Sequence, residues 1–100
     1  MKPIELKIKR LKEQGEIITK EKGNSMLPLI KSNQEHKLKS CTNEDINVGD
    51  IVFCKVKGKY YTHKVFAIDS KKGFLIGNNS GYKNGWTKTI FGKVTEIIKI

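Results

Sequence analysis

The apolar positions of the first fifteen residues recur at the spacing of an α-helix. Lysines and glutamates surround three apolar side chains that fall on one helical face, Ile4, Ile8 and Leu11, with Leu6 as a further apolar residue of the same segment. Pro3 stands near the start of this stretch and Gly15 at its end, as is common at helix boundaries. The pattern predicts a short amphipathic helix over residues 1–15 that packs on the rest of the chain. A helix that binds a partner is the alternative.

After Gly15 the pattern changes to short apolar runs separated by turn residues. These runs predict strands over residues 16–19, 35–41, 51–56, 60–68, 74–77 and 89–98. Of these, 35–41 has the weak alternation of an edge strand and 51–56 the apolar character of a buried one. A tight hairpin is expected at 57–59 and a polar loop at 78–84. Strands at this spacing predict a single, mainly β domain over residues 1–100, with coiled antiparallel sheets or a small barrel in 16–100 and the N-terminal helix in 1–15.

One serine stands in a setting that suits a nucleophile. Ser25 lies within Gly23–Ile30, between a Gly-Asn pair and a Met-x-Pro sequence, directly after the predicted strand 16–19. A turn at this place exposes the hydroxyl and leaves neighbouring N–H groups free, as serine nucleophiles require. The same residue types also favour an ordinary loop followed by the start of a helix. The rest of the chain must therefore supply a base.

The candidate bases are His36, His63 and the lysines. His63 lies inside the predicted strand 60–68, where successive side chains alternate, so Lys64 points to the opposite face. The side chains on the face of His63 are aromatic or apolar: Tyr61, Val65 and Ala67. Partial burial there favours the neutral imidazole that a general base needs. A structural histidine, satisfied by backbone groups, is the alternative.

Five short motifs follow one another along the chain, and each occurs once. They are Gly23-Asn24-Ser25-Met26-Leu27-Pro28, Val48-Gly49-Asp50-Ile51-Val52, Thr62-His63-Lys64-Val65, Ile76-Gly77-Asn78-Asn79 and Ile90-Phe91-Gly92-Lys93-Val94. In order and spacing they resemble the LexA-repressor and signal-peptidase superfamily of serine proteases, over roughly residues 16–96. The resemblance implies the β fold of that superfamily and cleavage of peptide bonds.

The resemblance also implies the roles of individual residues. Ser25 would be the nucleophile and His63 the base, as in the branch of the endoplasmic-reticulum and archaeal signal peptidases, with Lys64 flanking the dyad. The oxyanion hole would be built partly from the Ser25 N–H. Four neighbours of Ser25 would shape and position this turn: Gly23, Asn24, Met26 beneath the site and Pro28.

The chain departs from the family pattern where the His branch carries an acidic residue. Asn78 and Asn79 stand in that block. An asparagine can hold a histidine tautomer but stabilises the imidazolium less well than a carboxylate. Lys64, Asn78 and Asn79 are therefore the candidate supporting residues. Neither a membrane anchor nor a DNA-binding module is expected beside the protease-like domain.

The composition and the apolar runs of the chain indicate its localisation and whether it binds a cofactor. No apolar run approaches the roughly 18 residues of a membrane span, and the N-terminus lacks the apolar centre of a secretory signal. A cytoplasmic protein is therefore expected. Cys41 and Cys54 match no common zinc spacing, so neither a metal nor another cofactor is expected.

The chain is strongly basic, with 20 Lys+Arg against 10 Asp+Glu and a formal net charge of +10. Only Arg10 is an arginine, and lysine attracts polyanions without the bidentate geometry of specific recognition. The lysine-rich style would suit an AT-rich genome, such as that of a phage or mobile element.

Two functions follow from these observations. The first is a small soluble serine peptidase with a Ser25–His63 dyad that acts on a protein or peptide substrate. The second is a catalytically inactive member that serves as a binding or regulatory module, its basic surface engaging nucleic acid or an acidic protein. In that case Tyr82 and Trp86, in the segment 78–86, could stack on bases, although the Trp could equally belong to the core.

Overall fold

The N-terminal helix forms where the apolar spacing predicts it. In the computed structural model, which describes residues 1–99, helix α1 spans Pro3–Gln14. Gly15 ends it in the left-handed conformation, with φ 77°, and its N–H donates to the Leu11 carbonyl oxygen at 2.8 Å. Leu11 is 1% exposed and anchors the apolar face of α1 on the sheet.

Within residues 1–99, seven strands follow the helix and form one antiparallel sheet. They are β1 (Glu16–Thr19), β2 (His36–Lys39), β3 (Ile51–Val56), β4 (Lys59–Asp69), β5 (Gly73–Gly77), β6 (Lys83–Thr87) and β7 (Thr89–Ile97), with a 3-10 turn at Asn43–Asp45. Their order in the sheet is β1-β2-β7-β3-β4-β5-β6. The protein is mainly β with one short N-terminal helix, as the sequence predicts.

The pairing corrects two of the strand predictions. β2 lies between β1 and β7, so it is an interior strand, and β1 takes the edge. The predicted polar loop at 78–84 ends early, because β6 begins at Lys83 and pairs with β5. Asn84 and Gly85 have low strand propensity, so only the pairing with β5 makes this segment a strand.

The two faces of the sheet bury separate apolar clusters. Helix α1 covers one face, where Leu11 packs with three buried side chains: Ile17, Leu38 and Phe53. The other face curls on itself and encloses a second cluster: Ile46, Val52, Cys54, Val56, Val65, Phe74 and Ile76. The curl brings β6 against β3, where Thr87 Oγ1 donates to the Lys55 carbonyl oxygen.

The sheet is coiled but not closed into a barrel. Within residues 1–99, β1 and β6 are its two outer strands and do not pair with each other.

No helix within residues 1–99 has the length and apolar character that a membrane crossing requires.

Strand β4 organises the region around Ser25. Its first half pairs with β3 through Lys59–Lys64, and its second half pairs with β5 through Lys64–Asp69. Within the part of the chain that the structure describes, the segment 59–63 therefore has a strand on one side only. His63 lies at the end of that segment, and the loop between β1 and β2 carries Ser25 to it.

Candidate active site

Two backbone hydrogen bonds hold the turn that carries Ser25. The Leu27 N–H donates to the Asn24 carbonyl oxygen at 3.2 Å, and the Ile30 N–H donates to that of Met26 at 3.0 Å. Met26 and Ile30 are buried, whereas Ser25 is exposed. Anchoring by the two apolar side chains thus leaves the serine hydroxyl at the surface. This arrangement places the Met26 side chain in the interior beneath the turn.

Gly23 gives the chain the conformation that the turn needs. Its φ of 123° is reached readily only by glycine. Its N–H donates to Ser32 Oγ at 3.1 Å, which ties the start of the turn to the end of the loop. Pro28 follows a cis peptide bond at Leu27, and Asn24 is exposed beside Ser25.

The Ser25 hydroxyl lies within hydrogen-bond distance of His63. Ser25 Oγ lies 3.0 Å from His63 Nε2, and His63 Nδ1 lies 2.7 Å from Asn84 Oδ1. His63 is 8% exposed, and its ring packs on that of Tyr61 with the centroids 4.9 Å apart. Three residues that are far apart in the sequence thus form a continuous chain of hydrogen bonds.

The contacts determine the tautomer of a neutral His63. An amide oxygen can only accept, so Nδ1 carries the proton and donates to Asn84 Oδ1. Nε2 then has a free lone pair, to which the Ser25 hydroxyl donates. This is the orientation in which a histidine can remove the serine proton. The hydrogen bond to Asn84 thus fixes the orientation of the His63 ring.

Asn84 reaches His63 because strand β6 contains a bulge. Gly85 pairs with Ile76 and Lys83 pairs with Gly77, so Asn84 is an extra residue on β6. A bulge of this kind redirects a side chain without ending the pairing. No motif in the sequence singles out Asn84, and the Asn-Gly pair before Trp86 is a signal for a turn.

The two asparagines that the sequence offered as supports make other contacts. Asn78 Oδ1 accepts from the Ser80 N–H, the Ser80 hydroxyl and the Tyr82 N–H, at 2.8–3.0 Å, and so closes the turn between β5 and β6. Gly77 is required before this turn, because a Cβ there would collide with the Tyr82 carbonyl oxygen. Asn78 is thus a turn residue, and the amide that His63 contacts is that of Asn84.

Asn79 contacts the turn that carries Ser25 rather than the His63 side chain. Its N–H donates to the Ser25 carbonyl oxygen at 3.0 Å, and its Nδ2 donates to that of Leu27 at 2.8 Å. These two bonds hold the serine turn from the side of the β5–β6 connection. Asn79 therefore positions Ser25 through the backbone.

Lys64 lies away from the hydrogen-bonded residues. It pairs with Ile51 and Gly77 on the neighbouring strands, and its Nζ lies 5.6 Å from the centre of the Phe66 ring. Strand alternation turns it to the face opposite His63. Lys64 flanks the site, as the resemblance implies.

The turn also offers a donor for negative charge. Within residues 1–99 the Ser25 N–H donates to no protein acceptor. A free backbone N–H next to a nucleophile can receive the oxyanion of a tetrahedral intermediate. The Ser25 N–H, which the resemblance assigns to an oxyanion hole, thus has no competing acceptor among the described residues.

A carboxylate lies behind the serine turn. Glu21 Oε1 accepts from Lys7 Nζ at 2.8 Å and from Thr62 Oγ1, which links α1 and β4 to the loop that carries Ser25. Burial by itself would raise the pKa of Glu21, but His36, Lys7 and Thr62 outweigh it and lower the pKa from 4.5 to about 2. His36 Nε2 is 3.8 Å from Glu21 Oε1, longer than a hydrogen bond, so Lys7 and Thr62 make the direct contacts.

The other residues singled out in the sequence lie apart from this site. Trp86 is half-buried in β6 with Lys72 Nζ 5.4 Å from its ring centre, whereas Tyr82 is 68% exposed. Cys54 is buried in the enclosed cluster, and burial, with a smaller contribution from Glu21, raises the pKa of its thiol to about 12. Cys54 is therefore a core residue without nucleophilic character.

The sequence was also compared with known proteins. No protein-family model and no curated protein matches it.

Proposed function

We propose that the protein is a serine peptidase that hydrolyses peptide bonds with Ser25 as nucleophile, His63 as general base and Asn84 as the residue that orients His63. The observation that supports this most directly is the continuous chain Ser25 Oγ–His63 Nε2 at 3.0 Å and His63 Nδ1–Asn84 Oδ1 at 2.7 Å. A nucleophile on an exposed turn, a base within hydrogen-bond distance and a third group that orients the base are the parts that acyl transfer needs.

In the first half of the reaction, Ser25 Oγ attacks the substrate carbonyl carbon while its proton moves to His63 Nε2. The imidazolium keeps its Nδ1–H bond to Asn84, and the Ser25 N–H receives the negative charge on the carbonyl oxygen. His63 then gives the proton to the departing amine, which leaves an acyl group on Ser25. In the second half, His63 removes a proton from water, the resulting hydroxide attacks the acyl group, and the proton returns to Ser25 as the acid leaves.

The open segment of β4 suits an extended substrate. Residues 59–63 have a strand on one side only within the described chain, and the segment ends at His63 beside Ser25. A peptide that adds a strand to this side would be positioned by backbone hydrogen bonds. The substrate is accordingly a protein or peptide with an extended segment around the scissile bond.

Labelling with a fluorophosphonate probe tests the proposal, because the probe reacts only with an activated serine. We expect one label per molecule, located by mass spectrometry on Ser25, and its loss in Ser25→Ala. His63→Ala is expected to slow labelling by at least about 100-fold, whereas Ser70→Ala, an exposed serine on the β4–β5 turn, is the matched control and should label normally. Equal labelling of wild-type protein and Ser25→Ala would refute the proposal.

The binding-module alternative is supported by the net charge of +10. If Ser25 does not react, an interaction with nucleic acid or an acidic protein becomes the better proposal. Binding to a DNA or RNA oligonucleotide should then weaken steeply between about 50 and 200 mM salt, since release of counterions dominates such contacts. Affinity that does not change with salt would argue against this alternative.

A further inference from the structure

A small cavity lies against the serine turn. It has a volume of about 30 Å³ and is lined by Ser25 and by side chains of the loop and of strands β2 and β4, among them Glu21, Met26, His36 and Thr62. This volume accommodates a water molecule or a side chain of serine size. Because Ser25 forms part of the wall, the cavity is placed to receive the side chain next to the carbonyl that Ser25 attacks.

One buried nitrogen at this cavity has an unused hydrogen-bonding site. His36 is 1% exposed, and its Nε2 has no hydrogen-bond partner within residues 1–99. Its Nδ1 lies 3.2 Å from the Gln34 carbonyl oxygen, which can only accept, so Nδ1 carries a proton. Nε2 is therefore an acceptor in the neutral ring and a donor in the imidazolium, and in both forms it needs a partner.

Glu21 adds a second unused site. Both hydrogen bonds that this carboxylate accepts within residues 1–99 end on Oε1, which leaves Oε2 open to another donor. Glu21 Oε1 and His36 Nε2 are 3.8 Å apart, too far for direct contact. An oxygen atom between them can form a hydrogen bond of ordinary length with each.

We propose that this cavity is a substrate subsite that accepts a hydroxyl-bearing side chain of serine size, on the residue whose carbonyl Ser25 attacks. A hydroxyl both donates and accepts, so it can accept from Nε2–H of the His36 imidazolium and donate its one proton to the Glu21 carboxylate, whereas beside the neutral ring that proton goes to one of the two groups. A methyl group of the same size would provide no hydrogen bond to His36 Nε2 or to the open Glu21 Oε2. This inference rests on the proposed peptidase function, because it assigns part of the substrate.

A pair of phosphonate probes tests the subsite. Peptidyl diphenyl phosphonates form a bond from Ser25 Oγ to phosphorus and release phenolate, which takes up the serine proton. Serine and 2-aminobutyrate analogues are isosteric and differ only in hydroxyl against methyl. We expect the serine analogue to label Ser25 at least fivefold faster, and Glu21→Gln to reduce this preference below twofold. Glu44→Gln, a change at an exposed carboxylate, is the control and should retain it. Equal rates for the two probes, or faster labelling by 2-aminobutyrate, would overturn the subsite.

A binding measurement separates this inference from catalysis. In the Ser25→Ala variant with ¹⁵N-labelled histidine, the two histidines give a spectrum simple enough to assign. We expect the His36 Nε2 signal to move on addition of N-acetyl-alanyl-serine amide and not with the 2-aminobutyrate analogue. The same response to both peptides, or no response to either at millimolar concentration, refutes the subsite. A response specific to serine, together with no phosphonate labelling of the wild type, retains the subsite and refutes the peptidase.

Discussion

Replacement of Asn84 by aspartate should accelerate the reaction of Ser25. The substitution keeps the side-chain size and the acceptor 2.7 Å from His63 Nδ1, but it makes that acceptor a carboxylate. In the proposed mechanism His63 becomes a cation as Ser25 attacks, so a negative partner stabilises the transition state more than the resting state.

The size of the effect follows from the contact. A neutral hydrogen bond contributes about 0.5–1.5 kcal/mol and one to a charged group about 1.5–3 kcal/mol. Asn84 is half-buried, and solvent screening keeps the gain near the lower end of that difference. We therefore expect a gain of about 1 kcal/mol, which is about fivefold in rate.

The assay is the second-order rate constant of fluorophosphonate labelling at neutral pH. Asn84→Leu, which removes the acceptor, should label about 10- to 100-fold more slowly, because it leaves the buried Nδ1–H unpaired at a cost of about 1–3 kcal/mol. Asn78→Asp is the matched control, since the Asn78 side chain caps a turn, and it should react like the wild type. If Asn78→Asp is accelerated and Asn84→Asp is not, the assignment of the orienting residue is wrong.

Three further changes test the surroundings of the site. Asn79→Ala removes the 2.8 Å bond to the Leu27 carbonyl oxygen and should slow labelling about three- to tenfold, with melting temperature as the control for folding. Glu21→Gln should lower the free energy of unfolding at pH 7, measured by urea denaturation, by about 1–2 kcal/mol. This value is already reduced for the partial exposure of the Glu21 side chain. Because the folded-state pKa is lowered from 4.5 to about 2, this difference should persist above pH 4.5 and shrink as the pH falls towards 2; a difference that does not change with pH would contradict it. Phe53→Ala empties a site that is 1% exposed and should cost about 3–5 kcal/mol, whereas a loss below 1 kcal/mol would show that the cluster under α1 is loosely packed.

The features that the sequence predicted well depend on local patterns. Helix α1 and strands β3 and β4 follow from side-chain periodicity, since burial on one face imposes a period of 3.6 or 2 on the chain itself. The contact between Ser25 and His63 was expected from the resemblance, and the strand parity of His63 agreed with it. Edges are harder to predict, because the position of β2 in the sheet depends on which distant strand pairs beside it.

The residues that the sequence did not identify are placed by long-range register. Asn84 contacts His63 only because β6 pairs with β5 and carries one extra residue at that point. Asn78 and Asn84 are both asparagines near the same turn, and nothing in the local sequence distinguishes the turn residue from the one that meets His63. The proximity of Glu21 and His36 is also not predictable from local sequence, because it requires the β1–β2 loop to fold back beside β4.

An amide beside His63 Nδ1 stabilises the imidazolium less than a carboxylate would, and it also affects the tautomer of the neutral ring. A carboxylate beside the buried His63 would itself need desolvation and would titrate, so the tautomer of the base would depend on the protonation of its partner. The amide of Asn84 does not ionise, and therefore holds the proton on His63 Nδ1 at every pH where the ring is neutral. The Asn84→Asp variant would gain rate and lose this fixed tautomer, because its carboxylate can itself take up a proton.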